Sequence, residues 1–304
     1  MSFGPSRVPS RVLPWALRAV RANRVFATGS AAHRRVAELA LRPRPYGPPR
    51  LIRRAVTFEV RRRFGWPVYE VRPRVATPRG RVVYVHGGGW VGEITALHWH
   101  LVAQIAAEVG TTVTVPIYPL VPFGTAGEVV PRVAELAALT AEHQGGPACL
   151  VGDSAGGQIA LSAAMVARDT YRVLVPRTVL LAPGLDLSLD NPEIDDVQPF
   201  DPWLAVEGAR VLADYWRGDL PVDDPLVSPL FGEFSGLGPL SVFCGTRDIL
   251  NPDARTMVER ARAAGVDVSF HEAEGLVHVY PLTPTPEGRL ARRQIVEDLR
   301  AALA

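Results

Sequence analysis

From residue 81 to the end of the chain, short β-branched runs alternate with segments long enough to be helices. The strand-like runs fall at 81–85, 111–115, 148–151, 178–182, 240–244 and 266–271. The helical patterns fall at about 95–109, 126–142, 155–168, 252–264 and 287–303. Parallel strands need long crossover connections, which helices usually provide. This rhythm therefore predicts an α/β fold in which helices cover both faces of a mostly parallel sheet.

Two regions interrupt this rhythm. The runs AVTFEV (55–60) and PVYEVRP (67–73) predict an antiparallel pair of strands that precedes the parallel part. Residues 183–235 contain no strand pattern but are rich in proline and aspartate, with one helical segment at about 204–216. This stretch is too long for a plain connection, so we expect an insertion that folds over part of the domain.

The beginning of the chain is predicted to be a separate arm. Residues 13–41 have a helical pattern, and the proline-rich segment RPRPYGPPR (42–50) ends it. We therefore divide the chain into an N-terminal arm over residues 1–50 and an α/β domain over residues 51–304, with the insertion at about 183–235.

The arm also differs from the rest of the chain in charge. Residues 1–65 contain fifteen arginines, from Arg7 to Arg63, against only two acidic residues, Glu38 and Glu59. This excess favours either a weak contact with an anionic membrane surface or a solvated helix face. The arginines do not alternate with aromatic residues, which argues against a nucleic-acid platform.

The composition is that of a globular protein, with 47% hydrophobic and 21% charged residues. No stretch approaches about 18 uninterrupted apolar residues, and no apolar core with a cleavage site begins the chain, so we expect a soluble cytoplasmic protein. The arginine-rich, acid-poor beginning also resembles an organellar transit peptide, although prolines interrupt it. Cys149 and Cys244 lie in apolar runs, which predicts two buried thiols rather than a disulfide framework.

The segment CLVGDSAGGQIALSAA (149–164) carries the strongest chemical signal. An apolar strand pattern leads into Gly152-Asp153-Ser154-Ala155-Gly156, and a helix of small residues follows. A G-x-S-x-G sequence between a strand and a helix is typical of a sharp turn that exposes a nucleophilic serine. The alternative, a purely structural turn, explains the serine less well in this context. We therefore predict that Ser154 is the nucleophile.

A serine nucleophile needs a base, and this order of elements places the base near the end of the chain. Only His271 and His278 follow Ser154. His271 ends a predicted strand, where a half-buried structural role is expected. His278 follows the Glu274-Gly275 turn on a loop, so it is the predicted base.

The acid that orients the base should lie between the nucleophile and the base. Asp248 ends the segment LSVFCGTRD (240–248), at the carboxyl end of a predicted strand, and is the predicted acid. Asp253 is placed on the following helix, and Asp223 and Asp224 lie in the insertion. We expect these three to be surface charges or caps.

The segment VYVHGGGW (83–90) predicts an anion-stabilising loop. Glycines after a strand allow the backbone N–H groups to approach a reacting carbonyl oxygen closely. The predicted donors are the N–H groups of Gly87, Gly88 and Ala155, with His86 and Gly89 supporting the loop. A phosphate-binding loop is disfavoured because the chain has no lysine and the segment lacks G-x-G-x-x-G spacing.

Two aromatic clusters are ambiguous in the sequence. His98 and His100 flank Trp99, but no carboxylate lies at metal-ligand spacing, so packing is favoured over a metal site. In the insertion, Trp203, Tyr215 and Trp216 fit either a small hydrophobic core or the wall of a substrate pocket. The sequence alone leaves these two alternatives open.

Together HGGGW, GDSAGG, Asp248 after a strand and GLVHVY (275–280) resemble the hormone-sensitive lipase group of the α/β-hydrolases, microbial carboxylesterases above all. The resemblance covers about residues 75–300 and implies an α/β-hydrolase fold with a helical cap, built from the N-terminal arm and the insertion. Two segments depart from the group: PIYPLVP, Pro116 to Pro122, stands where the group has a stretch like Asp-Tyr-Arg-Leu-Ala-Pro-Glu. In addition, Ile249-Leu250 stands where Pro-Leu commonly follows the acid.

These features predict a serine hydrolase that cleaves carboxylic esters through an acyl-enzyme, without a metal or organic cofactor. The preference for short to medium acyl chains is implied by the resemblance alone. Two alternatives stay open. The same triad could serve an amidase or an acyltransferase, or the fold could serve a receptor that binds a small ligand without turnover.

Overall fold

An eight-stranded sheet forms the centre of the protein in a computed structural model that describes residues 8–41, 44–75, 77–143 and 148–304. The strands are β1 (Val56–Arg63), β2 (Trp66–Pro73), β3 (Arg81–Val85), β4 (Thr112–Pro116), β5 (Ala148–Asp153), β6 (Thr178–Leu181), β7 (Leu240–Arg247) and β8 (Val268–Val277). Their order in the sheet is β1-β2-β4-β3-β5-β6-β7-β8. The order places the strands that carry the predicted site at the middle and one side of the sheet.

Nine α-helices lie within the described residues. They are α1 (Leu13–Ala19), α2 (Gly29–Leu41), α3 (Ala96–Ile105), α4 (Ala126–His143), α5 (Ala155–Tyr171), α6 (Glu193–Val197), α7 (Val206–Arg217), α8 (Asn251–Ala263) and α9 (Pro286–Ala302). Helices connect most of the parallel strands, and strands β3 to β6 are buried almost throughout. The predicted α/β class is therefore confirmed.

The strands before residue 81 form the predicted antiparallel pair. β1 pairs with β2, with Val56 opposite Pro73 and Arg63 opposite Trp66, and β2 pairs antiparallel with β4. All other neighbouring strands are parallel. The carboxyl ends of β3, β5, β7 and β8 therefore meet at one edge of the sheet, which is where ligands bind in open α/β sheets.

The last strand is longer than the sequence predicts. β8 extends to Val277, so Gly275 lies inside the strand and not in a turn after it. Gly275 has a φ of 72°, its N–H donates to Thr246 Oγ1 at 2.8 Å, and the β7–β8 register shifts between Gly245 and Arg247. A bulge in the ladder thus accommodates the glycine, because the irregularity is shared by both strands.

The predicted helical pattern over residues 13–41 is divided into α1, a 3₁₀ turn and α2. Helix α2 packs against α7 of the insertion. Two hydrogen bonds join the arm to the beginning of α7: Gly29 N–H donates to Glu207 Oε1 at 2.8 Å, and Gly208 N–H donates to the carbonyl oxygen of Phe26, just before α2, at 3.0 Å. Residues 1–7 and 42–43 of the predicted arm lie outside the described residues. The domain boundaries stay a prediction.

The two cysteines lie where the sequence places them. Cys149 in β5 and Cys244 in β7 are buried free thiols. No helix among the described ranges is long and apolar enough to cross a membrane.

Candidate active site

Ser154 lies in the sharp turn between β5 and α5. Its φ of 53° and ψ of −121° are outside the regions that residues with a side chain normally adopt. Gly156, two residues later, has no room for a side chain, because a Cβ there would lie 2.1 Å from the carbonyl oxygen of Val85. The turn therefore brings α5 close against the end of β3 and places Ser154 at the carboxyl edge of the sheet.

The structure brings Ser154, His278 and Asp248 into one chain of hydrogen bonds. Nε2 of His278 lies 2.8 Å from Ser154 Oγ, and Nδ1 of His278 lies 2.8 Å from Asp248 Oδ2. His278 directly follows β8 and Asp248 directly follows β7, so adjacent strand ends position both side chains. Both are buried. His278 is the residue, of the two candidate histidines, that reaches Ser154.

The charges around His278 favour its protonated form. Burial lowers the pKa of His278, but the charge and hydrogen bond of Asp248 outweigh burial, with further contributions from Asp201 and Asp153, and the net pKa is raised. A proton that arrives from Ser154 Oγ would therefore be held more strongly than by an isolated imidazole.

Asp201 is another buried carboxylate at this site, and it was not among the residues predicted from the sequence. Its Oδ2 accepts a hydrogen bond from the Ile249 N–H at 3.0 Å, and its Oδ1 accepts one from the Trp203 N–H at 2.7 Å. Burial and the neighbouring charge of Asp248 raise the pKa of Asp201 to about 6. Asp201 therefore ties the insertion to the residues that follow Asp248. Several aspartates stand in the same stretch, so no sequence signal marks this one.

The glycine loop after β3 lies beside Ser154. Gly88 and Gly89 line the same cavity as Ser154, and the imidazole of His86 donates from Nδ1 to the carbonyl oxygen of Gly87 at 2.8 Å. His86 is fully buried, and burial and then the neighbouring His98 lower the pKa of His86 to about 4. The neutral imidazole of His86 thus holds the glycine loop through the carbonyl group of Gly87.

The segment PIYPLVP (116–122), whose sequence departs from that of the group, still supports this loop. The hydroxyl of Tyr118 donates to the carbonyl oxygen of His86 at 2.8 Å, and the two rings stack with their centroids 4.6 Å apart. The N–H of Val121 donates to the carbonyl oxygen of Trp90 at 2.9 Å. The segment therefore fixes both ends of the loop although its sequence differs from that of the group.

Asp153, immediately before Ser154, belongs to a separate buried network. Its Oδ1 accepts from the Tyr84 hydroxyl at 2.7 Å, and its Oδ2 lies 3.1 Å from Nε2 of His98. Burial favours the protonated acid, but His98 and Tyr84 outweigh burial and hold the pKa of Asp153 below its usual value. His98 is thus hydrogen-bonded to the residue before Ser154, whereas the sequence predicts a packing role for it. Nδ1 of His100, which is exposed, lies 2.6 Å from the carbonyl oxygen of Ala96.

A cavity of about 360 Å³ opens at Ser154 and is mostly apolar. Its walls include Phe26, Leu97, Trp203, Leu204, Val279 and Leu282. The structure separates the three aromatic residues of the insertion: Trp203 lines the cavity with its ring 6.0 Å from that of His278, Trp216 is fully buried and stacks on Trp90, and the Tyr215 hydroxyl lies 3.1 Å from Nδ1 of His33. Trp203 therefore belongs to the pocket wall, which was one alternative, and Trp216 belongs to the hydrophobic core, which was the other.

One expectation about the acidic residues was wrong. Asp253 is buried rather than on the surface, and its Oδ1 accepts a hydrogen bond from Asn191 Nδ2 at 2.8 Å. Burial raises the pKa of Asp253 to about 6. The insertion covers the beginning of α8, which a sequence pattern does not reveal. Asp223 is exposed and Asp224 accepts from the Leu226 N–H in a turn, as expected.

His271 has the predicted half-buried position. Its ring stacks on Phe243 with centroids 4.4 Å apart, and burial lowers the pKa of His271. Within the ranges that the structure describes, no three side chains of the metal-binding types converge on one point.

Comparisons with known proteins agree with this architecture. The family described as alpha/beta hydrolase fold matches residues 82–282. A triacylglycerol lipase of Mycobacterium tuberculosis is 38% identical over 241 residues, which are 78% of this chain and 50% of the lipase, so the chain spans half the length of that relative. An acetyl-hydrolase of Streptomyces hygroscopicus is 32% identical over 76% of this chain and 79% of its own. A solved esterase of the bacterial hormone-sensitive lipase family superposes with a TM-score of 0.80 at 26% identity, covering 98% of this chain and 99% of that one.

The chain therefore belongs to the α/β-hydrolase family. Within the family, the predicted resemblance to the hormone-sensitive lipase group is confirmed, and so is the predicted class of lipase- or esterase-like hydrolase.

Proposed function

We propose that the protein is a serine esterase that uses Ser154 as nucleophile, His278 as base and Asp248 as the orienting acid. The observation that carries this proposal is the unbroken chain of two hydrogen bonds, each 2.8 Å, that joins these residues at the wall of the apolar cavity. The arrangement has the geometry that nucleophilic catalysis by a serine requires.

In the first half of the reaction, Ser154 Oγ attacks the ester carbonyl carbon while its proton passes to Nε2 of His278. Asp248 accepts the hydrogen bond from Nδ1 and stabilises the imidazolium. The negative charge on the carbonyl oxygen is met by the backbone N–H groups of Gly87, Gly88 and Ala155, with His86 and Gly89 holding the loop. The alkoxide then leaves with the proton from His278, and the acyl group stays on Ser154.

In the second half, water takes the place of the alcohol. His278 removes a proton from the water, the hydroxide attacks the acyl carbon, and the acid leaves while Ser154 Oγ recovers its proton. These residues complete the cycle without a cofactor.

The cavity supports a small ester substrate. Its volume of about 360 Å³ lies in the range of small-molecule sites, and apolar side chains dominate its walls. We assign short to medium acyl chains to it. Phe26 of the arm and Ala209 and Ala213 of α7 border a smaller cavity of about 40 Å³ at Ser154, which supports the arm and α7 as parts of a cap.

The experiment is a kinetic panel of p-nitrophenyl esters of increasing chain length, combined with labelling by a radioactive organophosphate. We expect turnover to be highest for the shorter esters and label to enter Ser154 stoichiometrically. Stoichiometric label on another serine contradicts the assignment.

The same samples distinguish the alternatives. An acyltransferase would give a new ester when an alcohol is added, an amidase would prefer the matching amides, and a receptor would bind an ester saturably without releasing nitrophenol. We expect free acid as the main product.

A further inference from the structure

A second large cleft lies in the N-terminal arm and is not part of the ester cavity. Its volume is about 410 Å³. Its walls are formed by Arg24, Val25, Ala31, Arg34, Arg35, Glu38 and Arg44. Four positive charges and one negative charge give this lining a formal net charge of +3. We call it the arginine cleft; in contrast to the ester cavity, its walls are mostly polar.

The positive charges of the arginine cleft are poorly neutralised. The side chains of Arg24, Arg34 and Arg44 are exposed, and none makes a hydrogen bond or ion pair with another side chain in the described part of the chain. The single acidic group, Glu38, lies 3.8 Å from Arg35 and is itself largely exposed. An exposed ion pair at this distance offsets little of the charge.

One guanidinium of the cleft is fixed in place. Arg35 is only 8% exposed, and its Nη2 donates to the carbonyl oxygen of Val91 at 2.8 Å. Burial and then the charge of Arg44 lower the pKa of Arg35, and Arg24 lowers it less; Glu38 and Glu93 act in the opposite direction, but the net pKa is lowered. The positive groups are therefore near enough to repel one another, and an anion between them would relieve this repulsion.

We propose that the arginine cleft binds a phosphate-bearing anion, as a free phosphate ester or as the headgroup of an anionic phospholipid. Guanidinium groups bind phosphate oxygens in pairs of parallel hydrogen bonds. A phosphate monoester carries nearly two negative charges, which matches a net charge of +3 better than a single carboxylate does. The cleft is also large enough for an organic group beside the phosphate.

The arginine cleft is connected to the loop beside Ser154. Val91, whose carbonyl oxygen accepts from Arg35, donates its own N–H to the carbonyl oxygen of Gly88 at 3.2 Å. A bound phosphate would therefore hold Arg35 against the loop from the side of the arm. Binding should raise the melting temperature without supplying any group to the hydrolytic reaction.

The test compares two double variants that lose the same charge. Arg34→Gln with Arg44→Gln removes two exposed cations of the cleft. Arg62→Gln with Arg293→Gln removes two exposed cations from β1 and α9 and is the matched control. Calorimetry at constant ionic strength measures the binding of inorganic phosphate, and co-sedimentation measures binding to phosphatidylglycerol vesicles, with phosphatidylcholine vesicles for comparison.

We expect wild type and control to bind one or both anionic probes saturably and the cleft variant to bind at least about tenfold more weakly, since hydrogen bonds to a charged group are lost. Loss of phosphate binding assigns a free phosphate ester, and loss of vesicle binding alone assigns a lipid headgroup. Equal weakening in the control variant, or no binding of either probe by wild type, overturns the proposal.

The binding result is independent of the proposed esterase activity. The substituted side chains are exposed and lie outside the ester cavity, so both variants should fold and should keep wild-type kcat on p-nitrophenyl acetate. If the double cleft variant does not fold, Arg34→Gln and Arg44→Gln are measured singly against Arg62→Gln.

Discussion

Among the described residues, two buried histidine–aspartate pairs lie at the same edge of the sheet. The His278–Asp248 pair contacts Ser154, and the His98–Asp153 pair contains the residue directly before Ser154. In the His278–Asp248 pair, Nδ1 faces the carboxylate and Nε2 faces Ser154 Oγ. In the His98–Asp153 pair, Nε2 faces the carboxylate, and Nδ1 accepts a hydrogen bond from the backbone N–H of Thr95 at 2.8 Å. Both nitrogens of His98 are therefore engaged within the fold.

A carboxylate beside a histidine therefore does not by itself make that histidine a base. A base needs one nitrogen that carries no proton and faces the reacting group. Nε2 of His278 faces Ser154 Oγ at the wall of the cavity. His98 uses its corresponding nitrogen to cap α3, so we expect it to support the site rather than take part in proton transfer.

The largest expected effect comes from removing either end of the reactive pair. Ser154→Ala and His278→Ala should each lower kcat on p-nitrophenyl esters by about 10⁶-fold, because the members of a triad act as a unit. The double variant should be little worse than either single variant. Strictly multiplicative losses would show that the two residues do not act together.

A substitution in the glycine loop after β3 should give the next largest effect. Gly88 has a φ of 122°, and a Cβ at this position would lie 2.6 Å from the carbonyl oxygen of Gly92. The methyl group would thus distort the loop from within, rather than enter the space of the substrate. For Gly88→Ala we expect kcat to fall by about 100-fold or more, the cost of one lost oxyanion donor, with a smaller change in KM. Wild-type kcat in a folded variant contradicts the proposed role of the loop.

Removing the other histidine should affect stability more than chemistry. His98→Ala leaves the Asp153 carboxylate without one of its two side-chain donors, which should lower the free energy of unfolding by about 3 kcal/mol. We expect kcat to fall by no more than about 100-fold, as for partners that only orient a reactive group. Urea unfolding and ester hydrolysis measure the two quantities. A kcat as low as that of His278→Ala would erase the distinction between the pairs.

The smallest expected effect is a shift of the pH profile. His278 must be neutral to act as a base, so its raised pKa means that kcat/KM falls below a pH that is higher than for an ordinary histidine. Asp201→Asn removes a negative charge that favours the imidazolium, so the acidic limb should move to lower pH, by less than about one unit.

His98→Gln is the control for this shift. If the acidic limb of the kcat/KM profile reports the titration of His278, then His98→Gln should leave that limb at its wild-type pH. If the acidic limb moves in His98→Gln and not in Asp201→Asn, the limb reports the His98–Asp153 pair, which contradicts the prediction.

Much of the architecture could be predicted from the sequence because it depends on local patterns. Alternation of β-branched runs and helical segments is a short-range property, and a parallel sheet places the ends of its strands at one edge. Ser154, Asp248 and His278 lie directly after such strands, so the sequence alone predicts them as site residues. The glycine loop was recognisable in the same way.

The residues that the sequence left open are those whose contacts cross the chain. Asp201, His98 and Asp253 are polar residues in segments without a diagnostic spacing, and their partners are 48, 55 and 62 positions away. Local propensity carries no information about such partners. Trp203 and Trp216 were ambiguous for the same reason, since only packing decides which aromatic ring faces a cavity.

The α/β class, the strand–turn–helix around Ser154 and the order of the proposed nucleophile, acid and base can be predicted from the sequence, because each follows from patterns that are local in the chain. The packing of the chain sets which of the two histidine–aspartate pairs reaches Ser154 Oγ, although His98 and Asp153 also line the cavity, and which buried carboxylates surround the site. It also gathered Arg24, Arg34, Arg35 and Arg44 into one cleft. Charge and hydrogen bonding depend on distances of a few ångströms, and those distances are set by how the sheet, the arm and the insertion pack together.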